Sequence, residues 1–586
     1  MPPSRPTRFA EDGPPDEGGY GGDPNPLDNN PTVAAGRLRV GPKGSEPLRS
    51  SAERPGSCAR VGYLCPVLLR TSLALVAGVG LALAFEPVAA AFLVPFAVAG
   101  FVLATRGTSA RKAWVPGLAF GVGFYFVLIF WMRAVGTDAW IALAGIEAAF
   151  YGLLGSVTAV LTRRRAWPLW FAAAWVAMEV VRSSWPFSGM PWGRLAFATV
   201  DTPVAPALAY VGSTGVSFLL ALSGGLLAQL VLARGRTRWL VAGALGTTVV
   251  AATVPADLPY EPRIDGHTTV AAVQGNVPGN GDDILYDFRQ VTQNHVDATV
   301  GLATEVAAGK VPRPSFVVWP ENSTAVDPFT DIQTADGIRA ASSAIGVPIL
   351  VGALVDAGPA HVLNQGIVWN PGTGAADRYT KWHPVPYGEY IPFRQFFNGK
   401  NFGRLALIPR DMLAGTRTEP LSIAGVRVAD AICFDVAYDD GLYAQLGHDA
   451  QLVTVQTSNA TFIHTSQIDQ QFAISRLRAI ELGRWVVVAA TNGISGVIAP
   501  DGSVVDRAGI RTQDVLVRQV GLGTGLTPAV RLGAWTGRAC LALTVLGLLL
   551  ELVPYRRRQH RQRTESSPRR EVPVPVAHAD QSAPER

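Results

Sequence analysis

Residues 425–433 have the sequence GVRVADAIC, a run of apolar and small residues that ends at a cysteine. Its β-branched residues follow a glycine turn signal, and this pattern predicts a buried strand. Cys433 would then stand at the carboxyl end of the strand, where α/β folds expose reactive groups. The stretch therefore predicts a sheet that carries a thiol at its functional edge.

Further strand candidates lie on both sides of this stretch, and helix candidates separate them. Helix 466–482 places Ile468, Phe472 and Leu477 at near-helical spacing, so one apolar face can cover a sheet. Strands alternating with helices indicate an α/β sandwich across residues 266–525. The other predicted strands are 268–276, 315–320, 348–354, 451–458 and 484–491, and the other helices are 287–308, 332–344 and 437–447.

Seven apolar segments precede this domain and one follows it. Each is close to the roughly 20 residues that span a bilayer. The charged fraction of the chain is 16%, below the roughly 25% of soluble proteins, and the deficit falls in these segments. We predict a seven-helix membrane domain at 63–255 and a C-terminal transmembrane helix at 534–554. The segments cover about 66–85, 88–105, 113–132, 139–161, 166–181, 211–233, 238–254 and 534–553.

Clusters of basic residues follow every second apolar segment, and the alternate loops carry few charges. The positive-inside rule places all four clusters in the cytoplasm if seven helices precede the domain. Both termini are then cytoplasmic, and the domain at 266–525 lies on the extracytoplasmic face. The clusters lie at 106–112, 163–165, 234–238 and 556–563.

The two ends of the chain have the composition of disordered cytoplasmic tails. Residues 1–62 are rich in Pro, Gly, Asp and Ser, and residues 555–586 are basic and Pro-rich, so neither can bury enough apolar surface to fold. The net charge of +5 comes from short clusters beside apolar segments, which indicates topology and argues against nucleic-acid binding. Because the histidines lack ligand spacing and the glycine runs lack the context of a phosphate cradle, we expect neither metal nor cofactor.

Three residues at predicted strand ends could together attack an acyl carbon. Glu321 is the last residue of SFVVWPE (315–321), and Lys381 is the last residue of PGTGAADRYTK (371–381), after its turn. Cys433 ends the strand quoted first. A thiol nucleophile needs a base and a neighbour that stabilises charge. Glu321 could accept the thiol proton, and Lys381 could stabilise the oxyanion. Taken singly, each has an ordinary structural reading: a turn glutamate, a surface lysine and a small buried hydrophobe.

The order of the motifs favours the chemical reading, because it resembles the nitrilase superfamily. VVWPENS (317–323), YTKWHPVPYGEYIPFR (379–394) and ICFD (432–435) resemble its Glu–Lys–Cys motifs. With the apolar segments and EVVRSSWPFSGMPWGR (179–194), the chain resembles the apolipoprotein N-acyltransferase family over about residues 64–553. The resemblance implies a nitrilase-like α-β-β-α sandwich joined to a polytopic membrane domain of about eight transmembrane helices.

The resemblance also implies roles for individual residues. Cys433 would be the nucleophile, Glu321 the general base and Lys381 the oxyanion-stabilising cation, while Glu389 in PYGEYIP matches a second glutamate that supports them. Many family members have Tyr-Glu after the cysteine. Here Phe and Asp follow, and the shorter carboxylate leaves a catalytic role at that position open. The candidates for the substrate or oxyanion environment are Phe434, Asp435 and Tyr387.

The implied reaction joins two partners at a bacterial plasma (inner) membrane. Cys433 would take an acyl chain from a phospholipid as a thioester and pass it to the α-amino group of an apolipoprotein's N-terminal diacylglyceryl-cysteine. Bringing about 15 methylenes into water would cost about 12 kcal/mol. An active site held at the bilayer by helices avoids that cost.

Two other readings remain at this stage. A membrane-tethered carbon–nitrogen hydrolase (an amidase or nitrilase) would use the same three residues, but for small soluble substrates it needs at most one anchor helix. A transporter or scaffold would use the domain only to bind ligands. Transport sites usually show intramembrane charges or broken helices.

Overall fold

The structure is a computed structural model that describes residues 58–396 and 408–565, with side chains from 67 to 396 and from 408 to 551. Most of the predicted tail 1–62, and residues 566–586 of the predicted tail 555–586, lie outside these ranges. All contacts below are within the compact unit Arg60–Arg586.

Helix extends beyond two of the predicted domain boundaries. Helix α1 (Cys58–Ala82) begins before the predicted boundary at 63. Helix α13 (Trp535–Glu565) continues past the predicted end at 554. Arginine and glutamine are good helix formers, so the basic sequence after residue 555 extends the helix although it is not apolar.

Each of the eight apolar segments is helical in the structure. Before the first strand, the described residues form α1, α2 (Leu93–Thr105), α3 (Ala110–Leu128), α4 (Thr137–Leu161), α5 (Trp167–Arg182), α6 (Leu208–Leu232) and α7 (Arg236–Asp257). Among the described residues, three spans are long and apolar enough to cross a membrane: Thr137–Leu161, Ala205–Leu232 and Arg236–Asp257. At 13 residues, α2 extends about 20 Å, less than the roughly 30 Å of hydrocarbon. Eight transmembrane helices therefore stay a prediction.

Glycines allow α3 and α4 to approach closely. A Cβ atom added at Gly121 would lie 2.6 Å from Cα of Ala148, and one at Gly117 would lie 2.4 Å from the carbonyl oxygen of Tyr151. Small residues at helix contacts let backbones pack directly, which is a main source of helix association in lipid. The helical part is thus held by backbone proximity as well as by side chains.

The domain at 266–525 contains two mixed sheets. The strands are β1 (Arg263–Gln274), β2 (Phe316–Val318), β3 (Ile349–Asp356), β4 (His361–Asn370), β5 (Gly374–Thr380), β6 (Asp411–Met412), β7 (Leu421–Ile423), β8 (Val426–Ile432), β9 (Leu452–Thr457), β10 (Val486–Ala490), β11 (Gly496–Ile498), β12 (Val504–Arg507) and β13 (Asp514–Thr524). In the described residues the first sheet has the order β13-β1-β2-β3-β4-β5, with β6 paired to β4, and the second has the order β12-β11-β10-β9-β8-β7. β1, β2 and β3 run parallel, as do β8, β9 and β10.

The sheets stack face to face, and helices cover both outer faces. In β1, Val270 and Ala272 lie in the core between the sheets, whereas Ala271 and Val273 pack toward the outer helices, as the period of two in a strand requires. The predicted α-β-β-α sandwich is confirmed. The helices are α8 (Phe288–Ala307) and α9 (Ile332–Ile345) on the first sheet, and α10 (Asp440–Gly447) and α11 (Gln467–Leu482) on the second; α12 (Pro528–Leu532) precedes α13.

Gln470 in α11 ties the sandwich to the helical part. Its Oε1 accepts hydrogen bonds from Nε1 of Trp131 (3.0 Å) and Nε1 of Trp192 (2.7 Å). Its Nε2 donates to the carbonyl oxygens of Glu86 (2.9 Å) and Leu128 (3.2 Å). The buried amide therefore uses its full hydrogen-bonding capacity across this contact.

A second contact joins α11 to an interruption in α6. Gly212 has a φ of 67° inside α6, so the helix restarts at Ser213. Oε1 of Glu481 accepts from the backbone N–H of Ser213 (2.6 Å) and from its hydroxyl (2.9 Å). The carboxylate thereby caps the restarted helix, where negative charge is favoured.

We predict that Gly121→Ala lowers the free energy of unfolding by about 1–3 kcal/mol, because the new methyl group would meet backbone atoms of α4 that cannot rotate away. Thermal unfolding in detergent, followed by tryptophan fluorescence, measures the effect. Gly145→Ala is the matched control, since a Cβ atom there has no neighbour within 4 Å. Equal midpoints for the two variants would contradict the close packing of α3 and α4.

Candidate active site

Glu321 follows β2 and is held rigidly in the interior. It is 3% exposed. Its Oε1 accepts from Nδ2 of Asn364 (2.7 Å), and its Oε2 accepts from the backbone N–H of Ser458 (2.8 Å). These donors come from β4 and from the end of β9, so both sheets fix the position of the carboxylate.

Lys381 follows β5, and its ammonium group lies between two carboxylates. The residue has no exposed surface. Its Nζ lies 3.2 Å from Oε1 of Glu321 and 2.7 Å from Oε1 of Glu389. Burial alone would lower the pKa of Lys381, but the charges of Glu321 and Glu389 outweigh it and hold that pKa well above its usual value. The lysine is therefore a fixed positive charge.

Glu389 completes the surroundings of this ammonium group. Burial raises the pKa of Glu389, and the charge of Lys381 partly offsets the shift. Its Oε2 accepts from the backbone N–H of Val385 (2.8 Å), which closes a turn around the carboxylate. The structure places Glu389 against Lys381, and its supporting role stays a prediction.

Cys433 directly follows β8 and begins a short 3₁₀ turn, Cys433–Ala437. Its φ is 53°, a left-handed conformation that is uncommon for residues other than glycine and that occurs often at functional sites. The residue as a whole is partly exposed. A sharp turn after a buried strand thus presents the thiol at the edge of the sheet.

The thiol carries its proton in the resting site. Burial raises the pKa of Cys433 to about 12, the charge of Glu321 adds to the rise, and Lys381 and a hydrogen bond with Thr457 oppose it. A thiolate at rest would place another negative charge beside two carboxylates. Attack by the sulfur therefore requires a base that removes the proton as the new bond forms.

Asp435 holds the backbone that follows Lys381. Its Oδ2 accepts from the hydroxyl of Tyr379 (3.2 Å) and from the backbone N–H of Trp382 (3.1 Å), and its Oδ1 accepts from the backbone N–H of His383 (2.8 Å). Burial raises the pKa of Asp435 above its usual value, and the charges of Lys381 and His383 offset only part of the rise. These contacts give Asp435 a positioning role.

Phe434 and Tyr387 contact the segment that follows α5. The ring of Phe434 stacks on Trp192 with centroids 6.0 Å apart. The ring of Tyr387 meets Phe187 edge-on at 5.9 Å. Both aromatic residues therefore line the contact between sandwich and helices, and neither hydrogen-bonds to the carboxylates or the lysine.

Sequence reasoning missed three groups that complete the site. Asn364 lies in β4, a strand that was not predicted, so its approach to Glu321 left no recognisable pattern. Ser458 acts through its backbone N–H, which every residue except proline carries. Thr457 reaches the thiol from β9. Among the described residues, no cluster of His, Cys, Asp or Glu side chains is arranged to hold a metal ion.

The stacked sheets and the thiol at a strand end define a carbon–nitrogen hydrolase domain. The family pattern described as carbon-nitrogen hydrolase matches residues 269–525. The pattern described as apolipoprotein N-acyltransferase N-terminal domain matches residues 77–226, which cover most of the helical part. A carbon-nitrogen hydrolase from Helicobacter pylori G27 has a similar structure at 15% identity, with a TM-score of 0.32 over 43% of this chain and 89% of that chain.

Whole-chain relatives share both parts. The apolipoprotein N-acyltransferase of Mycolicibacterium smegmatis is 36% identical over 505 residues, covering 82% of this chain and 84% of that protein. The enzyme of the same name from Ralstonia nicotianae is 32% identical, covering 85% of this chain and 95% of that protein. The chain belongs to the apolipoprotein N-acyltransferase family.

We predict that Asp435→Ala lowers the free energy of unfolding by about 1–3 kcal/mol, because buried N–H and O–H donors lose their acceptor. Thermal unfolding measures the loss. Asp440→Ala is the control, because this exposed carboxylate bonds the His383 ring (2.9 Å) and its own neighbour's N–H without holding the strand-end backbone. An unchanged midpoint for Asp435→Ala would contradict the positioning role.

Proposed function

We propose that this chain N-acylates apolipoproteins in two steps, through a thioester on Cys433. The acyl donor is a phospholipid, and the acceptor is the α-amino group of an N-terminal diacylglyceryl-cysteine. The relatives that cover most of the chain bear the name of this activity. The observation that carries the mechanism is the fully buried Lys381, held between Glu321 and Glu389 and acting electrostatically on the thiol.

In the first step the sulfur of Cys433 attacks the ester carbonyl carbon of the phospholipid. Glu321 takes the thiol proton as the carbon–sulfur bond forms, and Lys381 stabilises the oxyanion. The carbon–oxygen bond of the ester then breaks. Glu321 returns the proton to the departing glycerol oxygen, which leaves as a lysophospholipid.

In the second step the neutral α-amine attacks the thioester carbonyl. An α-amino group has a pKa of about 7.7–8.0, so a useful fraction is neutral near pH 7. Glu321 accepts a proton from the amine, the carbon–sulfur bond breaks, and the proton passes to the sulfur. The site then returns to its resting state with a protonated thiol.

The apolar outer faces of the helices support a lipid donor. Leu69 of α1 and Trp239 of α7 are 71% and 79% exposed. Apolar side chains exposed along long helices are stable in hydrocarbon and costly in water. The segment after α5, whose Trp192 stacks on Phe434, connects this lipid-facing part to the residue beside the nucleophile.

We expect enzyme incubated with phospholipid to gain one acyl group at Cys433 and to release lysophospholipid. Intact-protein and peptide mass spectrometry measure the adduct. Glu321→Gln and Lys381→Ala should slow its formation by about 10²–10⁴-fold, because each removes proton transfer or charge stabilisation. A diacylated lipopeptide added afterwards should become triacylated as the adduct disappears.

Cys433→Ala should abolish the adduct, and Cys540→Ala, which removes a cysteine buried in α13, should leave it unchanged. An adduct retained in Cys433→Ala would refute the assignment of the nucleophile. Release of free fatty acid without triacylated lipopeptide would instead favour the hydrolase reading.

We further propose that residues 255–533 face the extracytoplasmic side and that both termini are cytoplasmic, from the alternation of basic clusters. Two single-cysteine variants test this arrangement. Each carries Lys310→Cys or Arg236→Cys, both at exposed positions, in a protein whose own cysteines are replaced by alanine. A membrane-impermeant maleimide added to intact cells should label Lys310→Cys, and Arg236→Cys only after permeabilisation. The reverse pattern would overturn the orientation.

A further inference from the structure

A buried aspartate lies between the two sheets, further from the strand ends than the proposed catalytic residues. Asp430 is in β8, three positions before Cys433, and has no exposed surface. It faces Gln456 of β9 and Gly366 of β4. Oδ1 of Asp430 accepts a hydrogen bond from the Thr454 hydroxyl at 2.7 Å. Its other oxygen needs a separate explanation.

Oδ2 of Asp430 and Oε1 of Gln456 are both buried acceptors, and neither has a donor among the described residues. Both lie next to Gly366, since a Cβ atom added there would be 2.4 Å from the first oxygen and 2.5 Å from the second. The two oxygens are therefore within about 5 Å of each other. Two unpaired acceptors buried next to each other are strongly unfavourable.

The orientation of the Gln456 amide is fixed, so rotating it does not solve the problem. Its Nε2 donates to the carbonyl oxygen of Trp319 at 2.6 Å. Exchanging nitrogen and oxygen would bring Oε1 against that carbonyl, which is also an acceptor. Oε1 thus needs a donor from the side of Asp430.

We propose that Asp430 is a neutral carboxylic acid in the folded protein, that its Oδ2–H donates to Oε1 of Gln456, and that this bond positions the strand ends that carry the catalytic groups. Asp430 is then a positioning residue that acts through Gln456. A neutral acid satisfies both orphaned oxygens with one proton.

The electrostatic surroundings agree with a retained proton. Burial raises the pKa of Asp430 to about 7; the Thr454 hydroxyl and the backbone N–H of Ala431 oppose the rise, and the charge of Asp435 adds to it. The titratable groups that interact with Asp430 are Asp435 and Tyr379, and neither supplies positive charge. Among the described neighbours, the partners of its side chain and backbone in β4, β9 and α10 are the uncharged Gly366, Thr454, Gln456 and Gln445.

The proposed bond lies where it can set the geometry of the site. Gln456 is followed by Thr457, which interacts with the thiol, and by Ser458, whose N–H donates to Glu321. The other end of its amide is bonded to Trp319, two residues before Glu321. Asp430 thereby links the strand of the nucleophile to the strand that precedes the base.

The pH dependence follows from the sign of the shift. The folded-state pKa of Asp430 is above its unfolded value, so the stabilisation is fully present below about pH 3.9 and is lost as pH rises through about 7. Ionisation would break the bond to Gln456 and leave a charge buried between the sheets.

Asp430→Asn tests the proposal, because its amide can donate to Gln456 and its oxygen can accept from Thr454. We expect full-length Asp430→Asn to match the unfolding midpoint of the native protein near pH 4, and we expect its midpoint to fall less than the native midpoint between pH 4 and pH 7.5. Asp430→Ala should lower the midpoint at every pH and slow acylation by about tenfold or more, whereas the asparagine variant stays within about threefold. Asn that destabilises as much as Ala would overturn the proposal.

Asp439 provides the matched control. It is paired with Arg194 and Arg478 at 2.8 Å each. Burial alone would raise the pKa of Asp439, but the two arginines hold it at about 2. Asp439→Asn should therefore lower the midpoint at pH 6, where Asp430→Asn does not. The opposite order would show that Asp430 is ionised.

Infrared difference spectra detect the proton directly. The carbonyl stretch of a protonated carboxyl group should be present in the native protein at pH 6 and missing from Asp430→Asn. Identical spectra in that region would refute the neutral acid. The effect on acylation depends on the proposed roles of Glu321 and Cys433, but the infrared band and the unfolding midpoints do not. A failed reaction scheme and a wrong protonation state would therefore be distinguished.

Discussion

A lysine ammonium group that is completely shielded from water requires compensating negative charge, because its desolvation otherwise costs several kcal/mol. Glu321 and Glu389 supply that charge to Lys381. The arrangement constrains much of the site. Glu321 and the segment 381–389, which are distant in sequence, must meet at one ammonium group. Burial, with the charge of Glu321 adding to it, keeps the nearby thiol protonated. A reaction at Cys433 must therefore begin by moving a proton.

The geometry of that meeting point comes from both sheets. Glu321 is held by donors from β4 and from the end of β9. The backbone after Lys381 is held by Asp435, which belongs to the turn that starts at Cys433. Glu321, Lys381 and Cys433 are thus positioned by contacts between neighbouring strands and turns, so the residues are arranged as one connected unit. A small displacement of one strand would disturb several of them together.

The sequence predicts the parts of this fold in which each residue has a strong local preference. Strands such as 451–458 and 484–491 are buried on both faces and consist of β-branched runs, and they correspond to β9 and β10. The strand β4 was missed because HVLNQGIVWN mixes polar and apolar residues without clear alternation. That strand carries Asn364, so a contact of Glu321 was missed with it. Lys381 and Cys433 were located by their motifs, but the backbone N–H of Ser458 and the fit of Gly366 depend on how distant strands stack. Helices α1 and α13 extend beyond the apolar sequence, because helix formation does not stop where apolar sequence does.

The apolar core on the outer face of the second sheet does not end at α11. Residues of β8, β9 and β10 share one continuous buried cluster with α11 and with the long helices before β1. The side-chain amide of Gln470 forms its four hydrogen bonds across the same boundary. A soluble nitrilase-like enzyme can end its sandwich with polar helix surfaces, whereas here the helices before β1 pack against α11 as a further layer outside the sandwich. The sandwich domain is therefore not an independent folding unit, because cutting it from the chain would expose part of its core. A chimera of two relatives would have to take the sandwich and the helical part from the same protein.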